Sequence, residues 1–245
     1  MMLTTKCIKP QMLLAAAAFA AVSLPASAAT NLTIRMTDSF GTITVADNQT
    51  IPAAGDTDPT TGIIDFDSAL GPALPGGTHF SAQAEICSSG CPNLAASIEW
   101  DNFGLPGDTL IFEVSAKDYT LLPIHWEGLH ALGGTTPATV TAEAFWSDTN
   151  NLFDPKFSIG GPFSYTNPAS SPFSGFSANL PQFPIAGANP FSMTTIITIT
   201  HGASENFLTQ VDTIANLTPV PVPAALPLLA SAFGIMGFLR MRRRG

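Results

Sequence analysis

Two imidazoles and a carboxylate fall within six residues, His125-Trp126-Glu127-Gly128-Leu129-His130. That donor set can hold zinc and leave one position open. On a strand, His125 and Glu127 would share a face, and His130 would return across the following turn. The spacing is not H-E-x-x-H and the flanking residues lack helical periodicity, so hydrogen-bonded loop side chains explain the cluster better than a metal site. Asp56-Thr57-Asp58-Pro59 and Asp65-Phe66-Asp67 carry oxygen ligands suited to calcium. The EF-hand pattern is absent, however, and aspartate is equally at home as a turn former. Glu99 and Asp101 flank Trp100, which suits a sugar-binding cleft or a pair of glycosidase carboxylates. A core tryptophan between two outward acids on a strand produces the same triplet. No G-x-S-x-G, P-loop or dinucleotide fingerprint occurs. No catalytic residue, metal or cofactor is therefore assigned, and the chain reads as a non-enzyme.

The cysteines point to a compartment. Cys87-Ser88-Ser89-Gly90-Cys91-Pro92 places two thiols four residues apart around small turn residues. Such a pair closes a small disulfide loop in an oxidising environment. No second Cys or His pair stands nearby to complete a four-ligand metal site, and a redox C-x-x-C would have two intervening residues.

The segments that must position these residues read as short strands. Turn signals recur at Pro75-Gly76, Pro106-Gly107, Gly133-Gly134 and Gly160-Gly161. Between them lie runs rich in Thr, Ile, Val and Phe, the residues that suit a half-buried pleated surface. Leu32, Ile34 and Met36 share one parity, as do Leu110, Phe112 and Val114, and again Val140, Ala142, Ala144 and Trp146. Ser192–His201 is the clearest strand, β-branched almost throughout. The expected fold class is all-β, a jelly-roll-like β-sandwich over residues 29–217. Residues 46–78 offer one strand, at Ile63–Phe66. Residues 147–190 read as long loops with at least one embedded strand, tacked down by Phe163, Phe173, Phe176 and Phe183. A phenylalanine-lined groove is the alternative there.

Both ends stand apart from this body. Lys6 and Lys9, the apolar run Met12–Leu24 and Ala26-Ser27-Ala28 form a signal peptide over residues 1–28, with cleavage before Ala29. At the other end, residues 218–245 hold Val220-Pro221-Val222-Pro223-Ala224, an apolar stretch to Leu239, and the basic cluster Arg240, Arg242, Arg243 and Arg244. A helix over Ala224–Leu239 would run about 24 Å, and counting from Val220 gives a charge-free run long enough to cross a bilayer. The terminal arginines predict a cytoplasmic C-terminus and an exported body. Between Ala29 and Leu217 stand three basic residues (Arg35, Lys117 and Lys156) against all 18 acidic ones, a formal charge of −15. So acidic a body repels nucleic acid and anionic lipid.

Motif, apolar span and arginine cluster in this order resemble the PEP-CTERM type of sorting tail, most closely its VPLPA variant, with Val222 where that family usually carries leucine. The resemblance covers about a tenth of the chain. It implies cleavage by an exosortase near Val220–Ala224, after which the body is attached to or exported through the envelope. The expected partners are signal peptidase, Sec-type export machinery, the exosortase-type enzyme, the membrane through the C-terminal helix, and exopolysaccharide. The expected location is the inner membrane before processing, then the cell surface or medium. The run Phe191–His201 also looks like the penultimate strand of other bodies upstream of such tails, and the resemblance implies a last strand over Phe207–Ile214, a β-sandwich and placement rather than an activity. The leading expectation is thus a non-enzymatic surface or extracellular-matrix protein. The alternatives are a carbohydrate- or calcium-dependent binding module, built on the acidic loops and Trp100, Trp126 and Trp146, and a secreted hydrolase.

Overall fold

The computed structural model of the chain describes residues 31–48, 55–67, 79–87, 92–102, 108–120, 126–167, 174–180, 183–185, 189–202 and 207–219. The signal peptide, the sorting motif, the apolar tail and the arginine cluster lie outside them, as do His125, Cys91 and Phe173.

Thirteen strands follow one another without a helix among the described residues. They are β1 (Asn31–Thr37), β2 (Thr42–Ala46), β3 (Ile63–Asp67), β4 (His79–Ile86), β5 (Asn93–Asn102), β6 (Thr109–Tyr119) and β7 (Trp126–Thr136). The chain continues through β8 (Thr139–Ser147), β9 (Phe157–Thr166), β10 (Ser174–Asn179), β11 (Phe183–Ile185), β12 (Phe191–Thr200) and β13 (Phe207–Pro219). One sheet has the order β2-β1-β6-β12-β8-β9, and the other β10-β7-β13-β5-β4-β3 with β11 also paired to β7. Every pairing is antiparallel.

The alternation read from sequence sets which face of each strand is buried. Leu32, Ile34 and Met36 of β1, Leu110, Phe112 and Val114 of β6, and Val140, Ala142, Ala144 and Trp146 of β8 all face one continuous core. Ile64 and Phe66 of β3, Phe80 of β4, Ile98 and Trp100 of β5, and Val211 of β13 reach it from the other sheet. This is the sandwich solution, in which two one-sided sheets bury their apolar faces against each other.

Residues 147–190 carry more structure than expected. They contribute β9, β10 and β11. Their Pro, Gly and Ser content masks strand propensity, but β9 and β10 pair with β8 and β7 at the sheet edges, where such residues are tolerated. Phe163 and Tyr165 of β9 stack on Phe176 of β10, with centroids 5.7 and 4.9 Å apart, and join one sheet edge to the other. Phe163 and Phe176 are thus partly buried against the core. The side chain of Phe183 lies outside the description.

The segment 148–156 is pinned to the outer face of the six-stranded sheet by buried hydroxyls. The Phe153 N–H donates to Ser115 Oγ at 3.0 Å, Ser115 Oγ pairs with Thr194 Oγ1 at 2.8 Å, and Ser192 Oγ donates to the Asn151 carbonyl at 2.7 Å. Asp118 and Asn150 both sit at positive φ, 69° and 55°, and clasp each other: Asn150 Nδ2 donates to Asp118 Oδ1, and the Asp118 N–H donates to Asn150 Oδ1. Arg35 forms a two-pronged ion pair with Glu113 and lies 4.1 Å over the Phe153 ring. That pairing holds the guanidinium pKa above its ordinary value, the hydrogen bond that Arg35 donates to Glu113 outweighing the opposing effect of burial.

β13 is the hub of the larger sheet. It pairs with β5 from Phe207 to Asn216 and with β7 from Gln210 to Pro219. It is longer than the strand expected from sequence, running past Ile214 to Pro219. Where it passes β7, a Cβ added to Gly134 would stand 2.1 Å from the Gln210 carbonyl oxygen and 3.1 Å from Val211 Cα. Both are backbone atoms and cannot turn aside. Gly134→Ala is therefore expected to destabilise the fold by about 3 kcal/mol, the upper end for overpacking. Urea denaturation of the purified protein measures it, and a midpoint unchanged from wild type would contradict this close approach.

Candidate functional site

The structure separates the histidine cluster. Glu127 and His130 lie on β7 three residues apart, so the two-residue period of a strand puts them on opposite faces. Glu127 is half-exposed, whereas His130 is fully buried. The chain does not turn between them, and this corrects the expectation that His130 folds back beside Glu127. Among the described residues, no group of three or more His, Cys, Asp or Glu side chains is placed to hold a metal ion.

The aspartates before and within β3 organise a turn. Asp56 Oδ1 accepts from the N–H groups of Asp58 and Asp65, and Asp56 Oδ2 accepts from that of Asn48, each at 3.0 Å. Asp58 Oδ1 accepts from the Thr60 N–H at 2.7 Å, and Asp47 Oδ2 from the Gly62 N–H at 2.7 Å. Hydrogen bonds from Thr60 hold the Asp58 carboxyl below its usual range. Asp47 is pushed up, first by burial and then by the charges of Asp56 and Asp58, with the Gly62 and Asn48 N–H groups opposing. The Asp56–Asp58 and Asp58–Thr60 bonds are Asx-type turns, and the others tie Asp47 and Asp56 to more distant backbone, each carboxylate substituting for a backbone acceptor.

All three tryptophans expected to serve a binding surface are buried: Trp100, Trp126 and Trp146. Trp100 stacks on His201 with centroids 4.4 Å apart, and Trp146 on Phe157 at 4.6 Å. Their aromatic area serves the core, as the bulk of such side chains favours. Glu99 is exposed and Asp101 half-exposed on the outer face of β5, so the triplet Glu99-Trp100-Asp101 is an inward tryptophan between two outward acids. Cys87, just after β4, is disulfide-bonded.

Sequence reasoning missed two buried histidine–threonine pairs on β13. His130 Nε2 shares a hydrogen bond of 2.8 Å with Thr213 Oγ1, and His201 Nε2 one of 2.8 Å with Thr209 Oγ1. Thr209 is in turn 2.9 Å from Thr136 Oγ1, which accepts from the Ala138 N–H at 2.8 Å. Burial penalises the imidazolium and lowers both histidines to about 4, with Asp108 partly opposing this at His201. Both rings are therefore neutral near pH 7. The available signal was parity: Thr209 and Thr213 share the inward face of Val211, Ala215 and Leu217.

The outer face of the seven-stranded sheet is concave in two adjoining places. A depression of about 480 Å³ lies over β3, β4, β5 and β13, with Asp65, Gln83, Glu85 and Asp212 around the small side chains Ala95 and Ser97. A second of about 340 Å³ continues across β7 and β10, and the two share Asp212 and Thr213. The pair forms a trough across the strands, floored by Ala, Ser and Gly and edged by carboxylates and amides. Chemically, it can accept hydrogen bonds from hydroxyl or amine donors along an extended ligand.

No family model and no curated protein matches this chain. Among solved structures, the chain is similar to TmCBM61 in complex with beta-1,4-galactotriose, with 10% identity over 51% of this chain and 71% of that one, at a TM-score of 0.28. It is also similar to the enzymatically active domain of bacteriophage CBA120 tailspike protein 4, with 10% identity over 52% of this chain and 18% of that one, at a TM-score of 0.29. Likenesses this slight carry no argument about the trough or its ligand.

Proposed function

We propose that the chain is an exported surface or extracellular-matrix protein. Its sandwich body is carried to the envelope and held by the C-terminal segment until an exosortase-type enzyme cuts near Val220–Ala224. The two terminal signals support this reading, together with one structural observation. β13 ends at Pro219, one residue before the motif, still paired there with β7, its pairing with β5 having stopped at Asn216. The tail therefore continues from an interior strand of the sheet. A force on the anchor would load the β7 ladder first and the β5 ladder behind it, and a cut at the motif would leave the body's pairing intact. The Cys87–Cys91 loop belongs to the same reading, as a closure made after export.

Intact mass and location in the native host, with and without residues 220–245, test the proposal. The expected product begins at Ala29, ends near Val220 and is found at the surface, and deletion of the tail changes that location. An uncut C-terminus lodged in the membrane, or an unchanged location after deletion, would overturn it.

The trough favours a second reading, in which the placed body holds a neutral glycan through Gln83, Ser97 and Asp212. Affinity electrophoresis in host exopolysaccharide checks it. Asp212→Ala with Gln83→Ala should abolish retardation of the wild-type protein, and a wild-type protein that is not retarded rejects the reading.

A further inference from the structure

The outer face of the six-stranded sheet bears two ranks of hydroxyls in register. One rank crosses all six strands: Thr42 of β2, Thr37 of β1, Ile111 of β6, Thr198 of β12, Thr141 of β8 and Ser164 of β9 are successive cross-strand partners. Two residues along, Thr109, Thr200, Thr139 and Thr166 form a parallel rank across β6, β12, β8 and β9. All ten positions are half-buried or exposed. Neighbouring threonines steady one another, with hydroxyl separations of 3.0 Å for Thr37–Thr42, 3.1 Å for Thr109–Thr200 and 3.5 Å for Thr139–Thr166. None of the ten carries a charge, on a body whose formal charge is −15.

Three features narrow what can cover this face. The ranks themselves hold no cation for a phosphate or an acidic polymer, and the nearby Arg35 is already paired with Glu113. Neither rank holds an aromatic ring to cover the apolar face of a sugar. From strand spacing and rise, the ten positions span on the order of 400 Å², about half of the roughly 800 Å² that each partner gives to a stable protein interface. What remains is the repeat itself, hydroxyls about 4.8 Å apart across the strands and about 6.8 Å apart along them. Each hydroxyl both donates and accepts, and each threonine sets a methyl beside it. A fixed two-dimensional array of donor-acceptors separated by methyls fits a partner that is itself a repeating array of donor-acceptors. Adjacent strands twist by about 20–25°, so a planar match extends over only a few of them. Hydroxyls are doubled on three adjacent strands, β12, β8 and β9, while on β6 Ile111 takes the place of one.

We infer that this face binds ice, its hydroxyl ranks ordering water into the lattice of a crystal surface. The full-length protein in detergent micelles, with empty micelles as blank, is tested for entry into a slowly growing ice front and for inhibition of ice recrystallisation. Wild type should enter the ice, and Thr141→Tyr with Thr198→Tyr should lower entry about tenfold, the scale of losing one modest set of contacts. Gln210→Tyr, exposed on the opposite sheet, should enter as wild type does. Thr141→Ala with Thr198→Ala serves as the milder pair if the tyrosine variant does not fold, and the same loss is expected. Exclusion of wild type from ice, equal entry by the threonine variants, or an equal loss in Gln210→Tyr would each overturn the inference. So would retention on an insoluble neutral polysaccharide without entry into ice, which would assign the face to a glycan.

Discussion

Taking the protein from pH 7.5 to pH 5.0 is expected to remove about 4 kcal/mol of folding stability, about 2 kcal/mol from each of two histidines. His130 and His201 are buried, and burial holds each at about 4 in the folded chain. In the unfolded chain, both return to an ordinary value of about 6.5. The sign follows from which state takes up the proton first. Above about pH 6.5, neither state is protonated and the stability is fully present. As the pH falls from there towards 4, the unfolded chain binds protons that the folded chain refuses, so unfolding is favoured. Below 4 both states are protonated and the loss is complete. Asp108 softens the effect at His201. A domain stable by some 5–15 kcal/mol would lose a large share of that margin in mild acid.

Urea midpoints at the two pH values measure the loss. His130→Asn and His201→Asn should each lower stability at pH 7.5, since each disturbs a buried hydrogen bond to a β13 threonine. Each should also roughly halve the difference between the two pH values, and this second effect separates titration from simple damage to the core. A wild-type midpoint that does not move between pH 7.5 and pH 5.0 would mean that the rings are not held neutral.

The second large effect concerns β13. A chain stopped at Gly202 should show no cooperative unfolding transition, whereas a chain stopped at Pro219 should melt close to the full-length protein. The strand sits between β7 and β5, so its loss divides the larger sheet into two pieces and leaves two newly unpaired edges. It also withdraws Val211, Ala215 and Leu217 from the core, and with Thr209 and Thr213 the only partners described for the two histidine Nε2 atoms. Burying a Val or Leu side chain is worth about 1.5–3 kcal/mol, so those contacts together with the strand ladders exceed what a domain of this size has to spare. Circular dichroism with thermal melting of both chains decides the matter. Cooperative melting of the shorter chain would show that β13 is an accessory to a core formed without it.

Some of this was legible beforehand for a simple reason. Strand alternation depends only on a two-residue period, so the inward sets on β1, β6 and β8 could be read without knowing their partners. Phe191–His201 was recognisable because β-branched residues fill it almost throughout, and it became β12, paired on both sides. Other strands resisted. β7 contains Gly128, Gly133 and Gly134, which argue against a strand locally, yet β13 on one side and β10 and β11 on the other hold it in place. His130 was misplaced for the same cause, because a turn was expected where pairing keeps the chain straight. β9 and β10 were read mainly as loop because Pro and Gly dominate their neighbourhood.

The amino-acid sequence by itself determined the all-β class, the inward parity of the main strands, the acidic body and the expectation of export. All of these depend on composition and short-range period. The tertiary structure alone decided that the three tryptophans are core, that Asp56 closes a turn, and that Thr209 and Thr213 meet histidines from distant segments. It also decided that separate Thr-x-Thr runs line up as ranks on one face. Each of these depends on which strands lie side by side and in what register, and register is set by long-range pairing that no local pattern encodes.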